Sequence, residues 1–303
     1  MAFTAKDVQA LREKPGCGMM DCKKALTECD GNMDAAVDYL REKGLASQAK
    51  KASRVAAEGT VAVFSGADAS AVVEVNSETD FVASNDEFKA FAAKVAEVIA
   101  KQNPKDVDAL LSAKDDETGK TVDELKQDIF LKFRENMQIR RFVRYEGAVA
   151  SYVHMGGKIG VMVKFDTDVA ANDAFATMGK SVAMQIAAMN PSFLDEASVP
   201  AEVIEKEKSI MIAQMKEDPK MANKPEQVLG KIVEGKMGKY FKENCLVDQT
   251  FIMDDIAVGK YIENVAKELG GSIKVVEFVR FEKGEGIEKR VDDFASEVAS
   301  MVK

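Results

Sequence analysis

Glu58-Gly59-Thr60-Val61-Ala62 is echoed by Glu146-Gly147-Ala148-Val149-Ala150, and how this pair is read decides the fold. Such self-similarity marks an internal repeat. After each phrase come two apolar stretches of hairpin type, the second being Ala71-Val72-Val73-Glu74-Val75 in one copy and Gly160-Val161-Met162-Val163 in the other. A turn and a helix follow each time. The turns are SETDFVASNDEF at 77–88 and FDTDVAANDAF at 165–175; the helices carry Phe91, Val95 and Val98 against Val182, Ile186 and Met189. Two strand, strand, helix units predict an α+β core of two related subdomains, each an antiparallel sheet covered by helices.

Fold explains what the two copies share, so attention falls on what they do not. The first copy has one extra residue in its turn and places Phe81 after the Thr-Asp pair, where the second has Val169. An aromatic beside a carboxylate suits a protein-binding tip. The residues leave a plainer reading open, in which Asp80 caps the following short helix, as Asp168 would in the other copy, and Phe81 packs.

Upstream of the repeat, three short helices are expected at Thr4–Lys14, Asp21–Glu28 and Met33–Lys43, with Thr4 and Asp21 as N-caps, a turn at Asp30-Gly31-Asn32 and Gly44 as a left-handed C-cap. Pro15-Gly16-Cys17-Gly18-Met19-Met20 reads as a glycine-rich turn. Its two methionines serve either packing or an adaptable partner contact. Residues 46–57 (ASQAKKASRVAA) read as a linker with helical potential. Between the copies, 105–138 reads as helices around a polar loop at 115–119, ending in Glu135-Asn136-Met137-Gln138-Ile139-Arg140-Arg141-Phe142, which runs into the opening strand of the second copy. From Pro200 to Glu243, two helices broken at Asp218-Pro219 and Asn223-Lys224-Pro225 form an antiparallel hairpin with a narrow apolar stripe, a short coiled coil. A strand at 272–282, a Gly284-Glu285-Gly286 turn and an amphipathic helix at 287–302 finish the chain.

Composition narrows the function. In 303 residues the formal charge is −9, which works against direct nucleic-acid binding, since that draws on lysine and arginine neutralising phosphates. A protein partner fits better. Neither a targeting segment nor a membrane span is evident, so a cytosolic protein is expected. Cys17, Cys22, Cys29 and Cys245 lack paired ligand spacing, and the one histidine, His154, is remote from the first three; no metal and no cofactor are expected. His154 has no acid, serine or cysteine at a suggestive spacing to make it a general base, and serves either a partner contact or a loop. With no nucleophile-base pair and no phosphate loop of the GxxxxGK type, an enzyme is not expected.

The chain resembles the bacterial elongation factor Ts family over essentially its whole length. The resemblance rests on GMMDCKKAL at 18–26, SETDFVA at 77–83, ENMQIRRF at 135–142, HMGGKIGVMV at 154–163, ENCLVDQTF at 243–251 and FVRFEKGEGIEK at 278–289. It implies a ubiquitin-associated-like (UBA-like) three-helix domain at 1–45, a linker at 46–57, core subdomain N at 58–142, core subdomain C at 143–198 and 244–282, an inserted helical hairpin or coiled coil at 199–243, and a C-terminal module at 283–303. The implied function is guanine-nucleotide exchange on the GTPase elongation factor Tu: binding of the GDP form, displacement of Mg2+ and release of GDP. By resemblance, Thr79, Asp80, Phe81 and Val82 enter the partner near its magnesium ion, and His154, Met155, Gly156 and Gly157, with Met19 and Met20, make further partner contacts. Pro15 and Lys158 depart from the family pattern, which has threonine and arginine there; lysine at 158 offers a point charge in place of a bidentate fork. A reading of another class, a UBA-type adaptor or chaperone-like binder, uses the N-terminal helices for recognition and the core as scaffold.

Overall fold

The structure is a computed structural model that describes residues 3–13, 18–218 and 224–288. The chain divides into two compact units, one of Met1–Tyr145, Val153–Gly160 and Phe281–Lys303, the other of Glu146–Tyr152 and Val161–Arg280. The fold is α+β, with two three-stranded sheets among the described residues.

The first unit begins with helices α1 (Ala5–Glu13), α2 (Met19–Glu28) and α3 (Met33–Lys51). Their inward faces, Val8, Leu11, Cys22, Ala25, Leu26, Ala36 and Leu40, form one buried cluster. Thr4 caps α1 as expected, its hydroxyl and backbone N–H engaging Asp7. Two other expected caps are corrected. α2 starts two residues before Asp21, after Gly18, and Asp21 instead pairs with Arg134 at 2.7 Å. Gly44 lies inside α3, where a Cβ would come within 2.4 Å of Leu131 Cδ2; a small residue is needed there for close packing, and the helix runs on to Lys51 through part of the expected linker. The Pro15-Gly16-Cys17 part of the expected turn lies outside the described residues.

The first sheet has the order β1 (Glu58–Ser65), β2 (Ala69–Ser77), β3 (Gln138–Glu146), with β1 antiparallel to β2 from Glu58 opposite Ser77 to Ser65 opposite Ser70. β2 is buried along its whole length, as a central strand covered on both faces must be. Helix α5 (Asp86–Gln102) places Phe88, Phe91, Ala92, Val95 and Ile99 at the spacing of one helical face and buries them against it. α6 (Val107–Ser112) and α7 (Val122–Phe133) flank the expected polar loop. Residues 138–146, which run into the opening phrase of the second copy, form the third strand of the first sheet.

The second unit repeats this plan. The second sheet, most of whose residues are in this unit, has the order β4 (Ala148–His154), β5 (Ile159–Thr167), β6 (Ile273–Glu282), and α8 (Asp173–Met189) takes the place of α5. The two helices match at both ends. Each has 17 residues, an N-cap asparagine (Asn85, Asn172) accepting from the N–H two residues on at 2.8 Å, and a left-handed C-cap asparagine (Asn103, Asn190). Between α8 and β6 lies the helical hairpin of α9 (Ala201–Glu217) and α10 (Glu226–Asn244), held by Met215, Leu229, Val233 and Met237. Pro200 and Pro225 sit immediately before these helices, where the missing N–H costs nothing. α11 (Val258–Leu269), unforeseen in the sequence, buries Val258, Ile262 and Ala266 and ends at left-handed Gly270. Most of the expected helix at 287–302 lies outside the described residues.

Candidate functional site

At the end of β2 the chain enters a single helical turn, α4 (Asp80–Ser84). The Thr79 hydroxyl caps it, accepting from the Val82 N–H at 3.4 Å, while the Ala83 N–H donates to the Thr79 carbonyl at 3.2 Å. Asp80 is therefore the first helical residue and not the cap, which corrects the plainer sequence reading. Its carboxylate is exposed, favourably placed at a helix N-terminus. The four residues singled out from TDFV split by burial: Val82 is buried in the core, Thr79 is half-buried, and Asp80 and Phe81 face outward. Phe81 is 85% exposed, more than any other large apolar residue described.

The same joint in the second copy is built differently. Thr79 precedes Asn85 by six residues, Thr167 precedes Asn172 by five, and no helix forms in the shorter turn. There Asp168 accepts from the Ser272 N–H at 2.7 Å, a bond that holds its carboxyl below the usual range. Val169 is half-buried, its Cγ1 2.4 Å from where Gly271 would carry a Cβ. The residue directly after the Thr-Asp pair is half-buried in this copy and exposed in the other.

The His154-Met155-Gly156-Gly157 tip belongs to the first unit and reaches the tip region. The Val61 N–H donates to the Gly157 carbonyl at 2.8 Å, and Gly157 adopts φ +103° where a Cβ would lie 2.0 Å from Thr60 Oγ1. Glycine is thus required there both for backbone conformation and for the close approach. Asp80, Ala83, Ser84 and Lys89 from the first segment and Met155, Gly156, Gly157 and Lys158 from the second line one open cavity of about 400 Å3, with Gly59 and Lys283. Two motifs far apart in sequence therefore share one surface. Met155 is 69% exposed, whereas His154 turns its carbonyl inward to accept from Gly157 and Lys158. Met19 and Met20, also exposed, open α2 and do not line this cavity.

Residues 78–285 match the family described as Elongation factor TS. The chain belongs to the elongation factor Ts family. Elongation factor Ts of Clostridium perfringens (strain SM101 / Type A) is 50% identical over 305 residues, covering 99% of each chain. That of Syntrophotalea carbinolica is 47% identical over 307 residues and that of a Nitratiruptor species 48% over 313, each covering 100% of both chains. The family consists of translation elongation factors that act in nucleotide exchange on elongation factor Tu. Both segments of the cavity lie within the matched residues, and Met19 and Met20 lie before them.

Among the described residues no group of histidine, cysteine and carboxylate side chains could hold a metal ion, and no helix is long and apolar enough to cross a membrane. Cys22 and Cys245 are buried and Cys29 is half-buried, none of them in a disulfide among the described residues; Cys17 lies outside the described residues.

Two structural supports of the site escaped sequence reasoning. Glu135 accepts from the Thr79 hydroxyl at 2.6 Å and from its N–H at 3.0 Å, across 56 residues. Glu74, at the centre of β2, binds the turn after β6. The only signal was their charge: Glu74 stands in an apolar strand, and ENMQIRRF carries a carboxylate beside two arginines.

Proposed function

We propose that the chain is the guanine-nucleotide exchange factor for elongation factor Tu, binding its GDP form in the cytoplasm, dislodging Mg2+ and promoting GDP release, with no covalent chemistry of its own. The single observation that carries this reading is the 85% exposure of Phe81 on a capped helical turn. A phenylalanine left in water forgoes about 2 kcal/mol of burial, which a partner pocket can recover. A GTPase holds its nucleotide through magnesium and through phosphate-loop amides. A factor that binds a displaced arrangement of those groups more tightly than the closed one opens the site by population shift.

In this mechanism Phe81 is the wedge and Asp80 brings charge to the same contact. Thr79 and Val82 anchor them. Met155 and the glycines at 156 and 157 extend the contact along the shared cavity, with His154 beside them, and Met19 and Met20 add a separate apolar contact. Coupling is reciprocal, so the factor must bind more weakly while nucleotide and magnesium are in place. The test is release of fluorescent GDP from elongation factor Tu under excess unlabelled GDP. Catalytic amounts of the protein should accelerate release; an unchanged rate with demonstrable binding would leave an adaptor and remove the exchange assignment.

A further inference from the structure

We infer that Glu135 is a positioning residue for nucleotide exchange, acting through Thr79 to hold Phe81 in its outward-facing form. This rests on the exchange reading above and adds to it a residue that touches no partner group.

The geometry runs from Glu135 outward. Its carboxylate grips Thr79 twice, Oε1 accepting from the hydroxyl at 2.6 Å and Oε2 from the backbone N–H at 3.0 Å. A hydroxyl that donates to Glu135 keeps its lone pairs for the Val82 N–H, so the carboxylate orients the group that caps α4. A second, opposite bond locks the register: Glu78 Oε1 accepts from the Asn136 N–H at 2.6 Å. Thr79 and Glu78 on one side and Glu135 and Asn136 on the other thus form a two-point joint, and Phe81 projects two residues beyond it.

The second copy supplies the comparison. There too the residue pair after the second strand is tied to the residue before the third, but the carboxylate sits on the tip, in Asp168, and Ser272 is the donor. With no carboxylate among the described residues reaching the threonine, Thr167 accepts from Val169 at 3.2 Å, no helical turn forms, and Val169 stays half-buried. The outward aromatic occurs in the copy where an external carboxylate holds the threonine.

The test is a double-mutant cycle with exchange as readout. Glu135→Ala should lower the maximal rate of fluorescent GDP release on the order of tenfold, the scale of one lost charge-assisted pair, and change the half-saturating concentration by less than about twofold. In a Phe81→Ala background the same substitution should have almost no further effect, because Glu135 works through Phe81. Thr79→Ser, which keeps the hydroxyl, should retain most of the rate and Thr79→Val should not. Glu135→Gln serves if the alanine variant folds poorly, with an intermediate loss expected. Multiplicative losses in the double mutant, or a lowered unfolding midpoint with the maximal rate intact, would overturn the inference. If wild-type protein fails to accelerate release, the exchange reading itself falls, and the two failures are told apart.

Discussion

Glu74, fully buried in the middle of β2, accepts a hydrogen bond from the Gly284 N–H at 2.7 Å across 210 residues of chain. Arg140 at 3.1 Å, Arg141 at 2.6 Å and Asn76 at 3.1 Å converge on the same carboxylate. Gly284 sits at φ +71° with its hypothetical Cβ 2.1 Å from the Ala57 carbonyl, so only glycine permits the approach. Lys283 adds a bond to Glu58 at 2.6 Å. Glu74→Ala removes the shared acceptor of two part-buried arginines, and breaking such a buried pair costs about 3–5 kcal/mol. Urea unfolding should show that loss, and Glu74→Gln, which keeps the shape and some acceptor capacity, should lose less. Equal midpoints for wild type and Glu74→Ala would mean that the cluster carries no net stability.

Phe81→Ala separates presentation from folding. Because the side chain is 85% exposed, its removal should change stability by no more than about 0.5 kcal/mol. The maximal rate of GDP release should nevertheless fall, and by a larger factor than complex formation weakens, since the other contacts remain. Thermal unfolding, exchange kinetics and titration of elongation factor Tu on the same preparation check this. A lowered melting temperature matched by equal losses in rate and affinity would return Phe81 to a packing role.

Much of this was legible in the sequence for local reasons. The repeated strand, strand, helix order and the helical spacing of Phe91, Val95 and Val98 in one copy and of Val182 and Ile186 in the other are signals that lie within a few residues, whereas the asparagine caps at Asn85 and Asn172 went unread. What else escaped notice was set by distant partners. Thr79 and Asp80 are adjacent and both chemically fit to cap, and the choice between them is made alongside Glu135, which binds Thr79 from 56 residues away. Likewise nothing in the sequence of 138–146 names β2 as its neighbour; that pairing is seen only in the sheet order. Gly44 looked like a terminator because its neighbour in space, Leu131, is invisible along the chain.

Asp248 supplies a pH-dependent prediction in the second unit. Its Oδ2 is buried with no hydrogen-bond partner among the described residues, and burial, with Asp195 nearby, raises its pKa above the usual 3.8. A raised carboxyl pKa means the folded state holds the proton more tightly than the unfolded chain. The group therefore favours folding below pH 3.8 and loses that contribution as pH rises through the folded-state value. Asp248→Asn should raise the urea midpoint at pH 7, with the gain shrinking toward zero as both proteins are taken below pH 4. A gain independent of pH would assign the effect to packing.

Cys245 should be silent toward alkylating reagents in the folded protein. It is fully buried, and burial, with Asp248, Glu196 and Asp195 nearby, pushes its thiol up to about 11, so the reactive thiolate is scarce near neutrality. Half-buried Cys29 should react with iodoacetamide at pH 8 before Cys245, which should react only as urea unfolds its surroundings. Peptide mapping by mass spectrometry reads both sites. Rapid modification of Cys245 without denaturant would show that this region opens far more easily than its burial implies.

Deleting Phe81 is the sharpest test of the duplicated tip. The remaining residues, Thr79-Asp80-Val82-Ala83-Ser84-Asn85, then match Thr167-Asp168-Val169-Ala170-Ala171-Asn172 except for serine in place of one alanine, so Phe81 is itself the inserted residue. The second copy demonstrates that the shorter turn joins the same kind of strand to an asparagine-capped 17-residue helix. The deletion variant should therefore fold cooperatively, losing stability on the order of 1 kcal/mol, with Val82 taking the half-buried place of Val169. Exchange should fall at least as far as in Phe81→Ala, because both the aromatic and the turn that presents it are gone. A deletion variant that still accelerates GDP release at the wild-type rate would place the working contact elsewhere on the cavity shared with Met155.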